Sequence, residues 1–260
     1  LVSTVKLQKA KGRAENTKPY FDLMYETVQS ILAKSGHINH KYLKESESDK
    51  KAVIVVTANR GLAGGYNSNI TRMIIDEGFT KENTVVYAVG KKGRELLERK
   101  GYEIKADYSE AINDPIYKDA KEICDDVLSA FADGEVGEIY LAYTVFKNTV
   151  VHEPQLIRLL PVEADDAAHE TDGSEALMTY EPSEEEALDM IIPKYVCSLV
   201  YGALIESVAS ENGARMQAMD SATSNAEEMI STLSLKYNRA RQASITQELT
   251  EIIAGANAIE

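Results

Sequence analysis

From Ser183 to Glu260 the chain reads as one unbroken amphipathic helix, and no other feature restricts the possible folds as much. At about 1.5 Å of rise per residue it would run to about 115 Å, several times the width of an ordinary domain, so it cannot fold back onto a core of its own. Its apolar residues recur three and four apart: Leu188, Ile192, Tyr195, Leu199 and Ala203, then Ala226, Ile230, Leu233, Tyr237 and Ala240 beyond a polar middle, and finally Leu249, Ile252 and Ala256. A stripe of that kind calls for a partner helix.

The other end of the chain offers one. From Leu1 to Ser35 the pattern is again helical, with Phe21, Met24, Val28, Ile31 and Leu32 on one face and Lys6, Lys9, Lys11, Arg13 and Lys18 elsewhere. A periodic run longer than about 25 residues without clear caps points to a coiled coil rather than a globular helix. The two helices bracket everything else, so the expected arrangement is an antiparallel pair with a domain at one end, a shaft with a head. Pro19 and Pro193 fall inside the two patterns, and each is expected to kink its helix or mark a start near it, because proline lacks the amide donor and crowds the preceding turn. The helical pattern is already running at Leu1, so the natural start of the protein is expected upstream.

Charge and composition narrow the classes further. With 42 acidic and 28 basic side chains the formal charge is −14, which argues against a non-specific grip on nucleic acid phosphates. No run approaches the roughly 18 to 20 consecutive apolar residues of a bilayer span, and the first residues lack a signal peptide's apolar core. Direct membrane insertion is therefore not expected, and a soluble, cytoplasmic protein is. Cys124 and Cys197 are far apart in sequence, each inside a helical pattern, which predicts two buried or idle thiols rather than a disulfide framework.

Between the helices the lettering changes. Ala52 to Thr57 (AVIVVT) is a short, continuously apolar, β-branched run of the kind buried on both faces of a parallel sheet. A helix is predicted over Tyr66 to Gly78, a strand over Thr84 to Gly90, a helix over Lys91 to Gly101, a weak strand over Tyr102 to Tyr108 and a helix over Pro115 to Gly134. Strands alternating with helices predict βαβ units and a mainly parallel sheet covered by helices. Gly137 to Phe146 and Val150 to Val162 are strand-like runs joined only by Lys147, Asn148 and Thr149, which makes that pair an antiparallel hairpin. Glu163 to Gly173 is acidic and reads as an exposed loop.

The residues that would carry chemistry do not assemble into a familiar set. The turn RGLAGGYN (Arg60 to Asn67) joins the first strand to its helix, where a dinucleotide-binding fold puts its phosphate cradle. Its spacing is neither G-x-G-x-x-G nor G-x-x-x-x-G-K-[ST], so its glycines are better read as permitting a tight turn and close helix-to-sheet approach. His37 and His40 fall in a polar connector, His152 and His169 are isolated, and no metal-ligand or catalytic spacing emerges. Glu184, Glu185 and Glu186 follow Pro182 and Ser183 at a helix start, where they suit the positive end of the helix dipole. No cofactor is expected.

The stretch Arg239 to Glu251 (RARQASITQELTE) is of another kind, placing Arg239, Arg241, Gln242, Thr246, Glu248 and Glu251 around a helix that is also apolar at Ala240, Ile245 and Leu249. Its plainest reading is a solvated face with weak intrahelical contacts between Arg241 and Glu248. At the far tip of a shaft, a pattern polar on one side and apolar on the other implies that other protein meets the helix.

These residues carry a resemblance over the whole chain. KLQKAKGRAENTKPY near the start, NRGLAGGYNSNI after the first strand, LMTYEP before the long helix, and ENGARMQAMDSATSNAEEMI followed by LKYNRARQASITQELTEI resemble the gamma subunit of F-type ATP synthases of bacterial type. The fold this implies is an α/β chain: a long antiparallel coiled coil of the N- and C-terminal helices, with a central Rossmann-like, mainly parallel head. The implied divisions are 1–50 for the first helix and connector, 51–182 for the head and 183–260 for the long helix. The implied function is that of a non-catalytic rotor shaft, present as a single copy on the cytoplasmic face of the cell membrane. Its partners would be the alpha, beta and epsilon subunits and the membrane c ring. Motif by motif, the resemblance implies coupling contacts with alpha and beta at Arg215, Arg241, Gln242, Thr246 and Glu248, and a foot toward the c ring and epsilon at Tyr180 and Glu181. Cys124 and Cys197 do not resemble the closely spaced regulatory pair of chloroplast members, so thiol control is not implied. Two other classes stand beside this one. A free-standing enzyme would bind a small ligand at the Arg60 to Asn67 loop, and a plain coiled-coil scaffold would self-associate along its stripe.

Overall fold

The computed structural model describes residues 2–34, 40–44, 48–162 and 184–257, and the chain divides into two units, residues 1–217 and 218–260. The first begins with helix α1 (Val2–Lys34). Then follow β1 (Lys51–Val56), α2 (Tyr66–Asp76), β2 (Thr84–Val89), α3 (Lys91–Arg99), β3 (Glu103–Asp107), a short 3-10 turn (Ala111–Asn113), α4 (Tyr117–Ala132) and the strands β4 (Glu138–Phe146) and β5 (His152–Leu160). Helix α5 (Glu184–Asn257) closes the described chain. Each element falls within a few residues of its predicted span; the 3-10 turn has no counterpart in the sequence pattern.

The sheet order is β3-β2-β1-β4-β5, with β1 parallel to β2 and β4, β2 parallel to β3, and only the β4/β5 hairpin antiparallel. Alternation along β1 sorts its side chains into two cores. Ala52, Ile54 and Val56 face the layer containing α4, α5 and the end of α1, while Val53 and Val55 face the layer of α2 and α3. Because β1 and β2 are covered on both faces, their lettering is continuously apolar; β3 at the edge alternates between half-buried and exposed residues. Burying each large aliphatic side chain contributes roughly 1.5–3 kcal/mol, so the twelve largest fully buried ones, Ile54, Leu141 and Leu204 among them, dominate the stability of this unit.

Close contacts at glycine set the strand-to-helix joint. Gly90 has φ +114°, and a Cβ there would lie 2.1 Å from the Thr57 carbonyl oxygen. A Cβ on Gly93 would lie 2.5 Å from Thr57 Oγ1, which accepts the Gly93 amide at 2.9 Å. Only a bare backbone lets α3 sit this near β1.

Helix α1 pairs with the first part of α5 in antiparallel sense. Thr4 meets Met216, the Phe21 ring packs edge-on against Tyr201 at 6.2 Å, and Tyr25 lies 6.4 Å from Tyr195. Gly202 permits the approach, since a Cβ there would touch the Phe21 ring at 3.0 Å. Leu7, Ala10, Val28 and Ile31 of α1 are buried, as are Leu188, Ile192, Tyr195 and Ala203 of α5. Pro19 and Pro193 lie inside their helices and neither marks a start. Between Tyr195 and Gly213, α5 is buried on nearly every side. That accounts for its being the one described helix long and apolar enough to cross a membrane; 61% of its apolar window is already covered by protein.

The second unit, residues 218–260, is described as helix to Asn257, and from Asp220 to Asn257 its side chains are exposed.

Candidate functional site

The glycine-rich turn after β1 packs on α5. The Tyr66 hydroxyl donates to the Ser207 carbonyl at 3.1 Å, Arg215 Nη2 approaches the Gly61 carbonyl at 3.5 Å, and Ala58, Ala63 and Tyr66 form a small apolar cluster with Ala214. Burial, with Glu211 nearby, pushes the Tyr66 hydroxyl far up from its ordinary pKa, so it stays a neutral donor. The backbone donors at the strand end are taken by the chain's own side-chain amides. Asn67 Oδ1 accepts the Ala58 amide at 2.8 Å, and Asn59 Oδ1 accepts the Lys91 amide at the start of α3 at 2.9 Å. Where a dinucleotide-binding fold offers free N–H groups to a phosphate, this chain spends them on asparagine side chains.

Beside that turn, a cleft of about 620 Å³ opens between α1, the end of β1 and α5, lined by Lys6, Lys9, Arg13, Arg60 and Arg215 together with Asp114 and Glu211. Arg13 is engaged by Asp114 at 2.5 Å and by the Pro115 carbonyl at 2.6 Å, and Arg215 by Glu211 at 2.7 Å. Among the described residues Lys6, Lys9 and Arg60 meet no side-chain acceptor, so a chain of −14 formal charge carries a locally basic cleft. Sequence alone placed Lys6, Lys9 and Arg13 on a helix surface. It held no signal that Arg60 and Arg215, distant in the chain, would join them.

The other expected coupling residues, Arg241, Gln242, Thr246 and Glu248, are all exposed and all lie in the second unit. The Thr246 hydroxyl donates to the Gln242 carbonyl at 2.8 Å, and Gln247 donates to Glu251 at 2.9 Å. Among the described residues no ion pair joins Arg241 to Glu248, so both charges remain open to other partners. Around them Ile245, Leu249, Ile252 and Ile253 are 49%, 54%, 67% and 59% exposed. The structure thus groups Arg215 with the basic cleft and separates it from the other four. Tyr180 and Glu181 lie outside the described residues, as do His37, His169 and the acidic Glu163 to Gly173 segment.

The other histidines are structural. His40 is buried; its Nδ1 accepts the Tyr42 amide at 3.3 Å and its Nε2 faces Asp189 at 3.3 Å. His152 packs against α5, where a Cβ on Gly213 would lie 2.5 Å from its ring.

A two-helix pair anchored on a mainly parallel α/β sheet is a fold this chain shares with chains of solved ATP synthase assemblies. The chain superposes on a chain of the Euglena gracilis mitochondrial ATP synthase assembly of OSCP, F1 and c-ring, with TM-score 0.61, 18% identity and coverage of 99% of this chain and 93% of that one. It is likewise similar to a chain of the Tetrahymena thermophila mitochondrial central stalk and c-ring, with TM-score 0.59, 22% identity and coverage of 86% and 100%. Sequence comparison is more specific. Residues 1–259 match the model of the ATP synthase family. The ATP synthase gamma chain of Lachnoclostridium phytofermentans is 67% identical, and the sodium ion specific gamma chain of Acetobacterium woodii 42% identical, each alignment covering 100% of this chain and 91% of the relative. The chain belongs to the ATP synthase gamma chain family. It is a stalk subunit, not the seat of catalysis.

Proposed function

We propose that this chain is the central shaft of a rotary ATP synthase, carrying torque between a membrane c ring and the catalytic alpha and beta subunits. The observation behind this reading is that residues 218–257 keep an amphipathic stripe while Ile230, Leu233, Leu249 and Ile252 stay more than half exposed. Apolar side chains repeated along a helix at that exposure belong against protein, and in this family the fitting protein is the catalytic ring. A shaft whose faces differ binds each catalytic subunit differently as it turns, and differential binding shifts each subunit between open and closed states.

In this reading Arg241, Gln242, Thr246 and Glu248 make hydrogen bonds with alpha and beta that form at one angle and break at the next. Ile245, Leu249 and Ile252 serve as the bearing surface. Charged hydrogen bonds suit that work because they are directional and water can replace them. Arg215 with Lys6, Lys9 and Arg60 offers a basic seat for an acidic segment of a neighbouring subunit. The shaft comprises residues 1–50 and 183–260 and the head residues 51–182. Tyr180 and Glu181 form the foot toward the c ring and epsilon, on the strength of the LMTYEP resemblance. The chain works as a single copy on the cytoplasmic face of the cell membrane.

Affinity purification of the tagged chain from membranes, with subunit counting by native mass spectrometry, tests the assignment. One copy with three alpha and three beta subunits is expected; recovery of a homo-oligomer would overturn it. The double change Arg241→Ala and Gln242→Ala should lower ion-driven ATP synthesis in vesicles by about tenfold or more, since a hydrogen bond to a charged group is worth roughly 1.5–3 kcal/mol. Unchanged synthesis would remove these two residues from the coupling surface.

A further inference from the structure

Along α5 the grip of the head changes in kind. As far as Leu204 the helix is held by apolar packing, with Leu188, Ile192, Val196, Val200 and Leu204 buried in the core shared with α4 and the sheet. Beyond Leu204 hydrogen bonds join in. Thr144 lies past the last pairing of β4 with β1, at Ala142, and its partner across β5 is Pro154, which has no amide to donate. Both of its backbone groups find partners on α5. The Thr144 amide donates to Ser207 Oγ at 3.5 Å, and the Thr144 carbonyl accepts from Ser210 Oγ at 3.1 Å. From the start of α2 the Tyr66 hydroxyl donates to the Ser207 carbonyl at 3.1 Å. Tyr66, Thr144, Ser207 and Ser210 are all buried, so water does not reach these bonds.

We propose, on the reading of this chain as a rotary shaft, that Tyr66, Thr144, Ser207 and Ser210 are positioning residues of a torsional lock that keeps α5 from turning or sliding against the head under load. Apolar packing resists separation but has no preferred direction, and packed helices shear past one another by small steps. A hydrogen bond is directional, and here turning α5 would strand the Thr144 amide, its carbonyl and two serine hydroxyls away from any partner, in a place where water cannot make good the loss. Ser207 and Ser210 lie about one turn apart on one face of the helix, and they are tied to two different elements of the head, β4 and α2. Two such points fix both the register and the rotation of α5. They also stand in the last turns of the first unit, which ends at Gln217.

The test uses the chain assembled with its alpha and beta subunits, those subunits fixed to glass and a bead bound through biotin to the head at Lys100→Cys, the native thiols being buried. With the motor paused, the angular spread of the bead reads the torsional stiffness between ring and head. Tyr66→Phe combined with Ser210→Ala should at least double the angular variance, and Tyr66→Phe alone should raise it by a smaller step. Val200→Ala trims the apolar part of the same interface and should lower the thermal midpoint of the chain as much or more while leaving the variance at the wild-type value. That contrast separates a lock from a plain loss of stability. Wild-type variance in the Tyr66 and Ser210 variants, or an equal rise in Val200→Ala, would overturn the lock; should the double variant fail to assemble, Tyr66→Phe, which keeps the ring and loses one hydroxyl, decides the matter. A wild-type head that does not turn when ATP is supplied would overturn the rotary reading itself, and the lock with it.

Discussion

Two lengths of α5 both repeat apolar residues three and four apart and meet opposite surroundings. In the first, Leu188, Ile192, Val196, Val200, Leu204 and Ala209 are at most 1% exposed, closed in by α1, α4 and the sheet. In the second, Ile230, Leu233, Leu249 and Ile252 are 63%, 59%, 54% and 67% exposed. A helical stripe states that a face will be covered, and carries no information on whether the cover comes from the same chain. Where the cover is internal, the residues hold the fold together; where it is not, they are free to serve a moving contact.

Three changes would break or sharpen that contrast. The largest effect is expected at Leu204, where truncation to alanine opens a cavity in the shared core and should cost roughly 2–5 kcal/mol. Leu233→Ala in the same helix should stay within about 0.5 kcal/mol for the isolated chain. Urea unfolding of the two variants measures the difference directly, and equal losses would dissolve the distinction between the two lengths.

A smaller pair sits at glycine. Gly93→Ala drives a Cβ into Thr57 and should destabilise by roughly 1–3 kcal/mol. At Gly12, inside α1, nothing lies within 4 Å of the place a Cβ would take, and alanine should stabilise by roughly 0.5–1 kcal/mol through helix propensity. Thermal melts of both variants should move in opposite directions.

The smallest effect concerns pH. Burial holds the His152 imidazole below its ordinary value of 6.5, against a weaker opposing hydrogen bond with the Thr149 backbone. The folded state therefore favours the neutral ring and the unfolded chain binds the proton more readily. This contribution is present above pH 6.5 and fades as pH falls toward the folded value. A His152→Phe variant should show a flatter stability profile between pH 7 and pH 5, read by denaturant midpoints; an unchanged slope would move the titration elsewhere.

Much of the fold was legible in the lettering. The continuously apolar β1 and β2 announced strands covered on both faces, and the short link from Lys147 to Thr149 between the two later strand-like runs left room only for a hairpin. The position of β1 between β2 and β4 was not legible, because strand order depends on contacts between segments far apart in the chain. The turn at Arg60 to Asn67 lacks a phosphate-cradle spacing, and its engagement of Ser207 and Arg215 could not be foreseen from local pattern. His40 read as part of a polar connector, and the fold buries it beside Tyr42 and Asp189. The motif marked five residues expected to make coupling contacts, and only the coordinates grouped Arg215, held by Glu211, with a basic cleft, while the other four lie on the exposed length.

Periodicity and turn chemistry determined the elements and the long terminal helices, and short motifs carried the family resemblance, because those signals are held by neighbours within a few residues. The strand order and the basic cleft were decided by tertiary packing. Each joins side chains whose proximity arises only once β1 is flanked on both sides and α5 has settled against α1 and α4, which no local run of residues encodes.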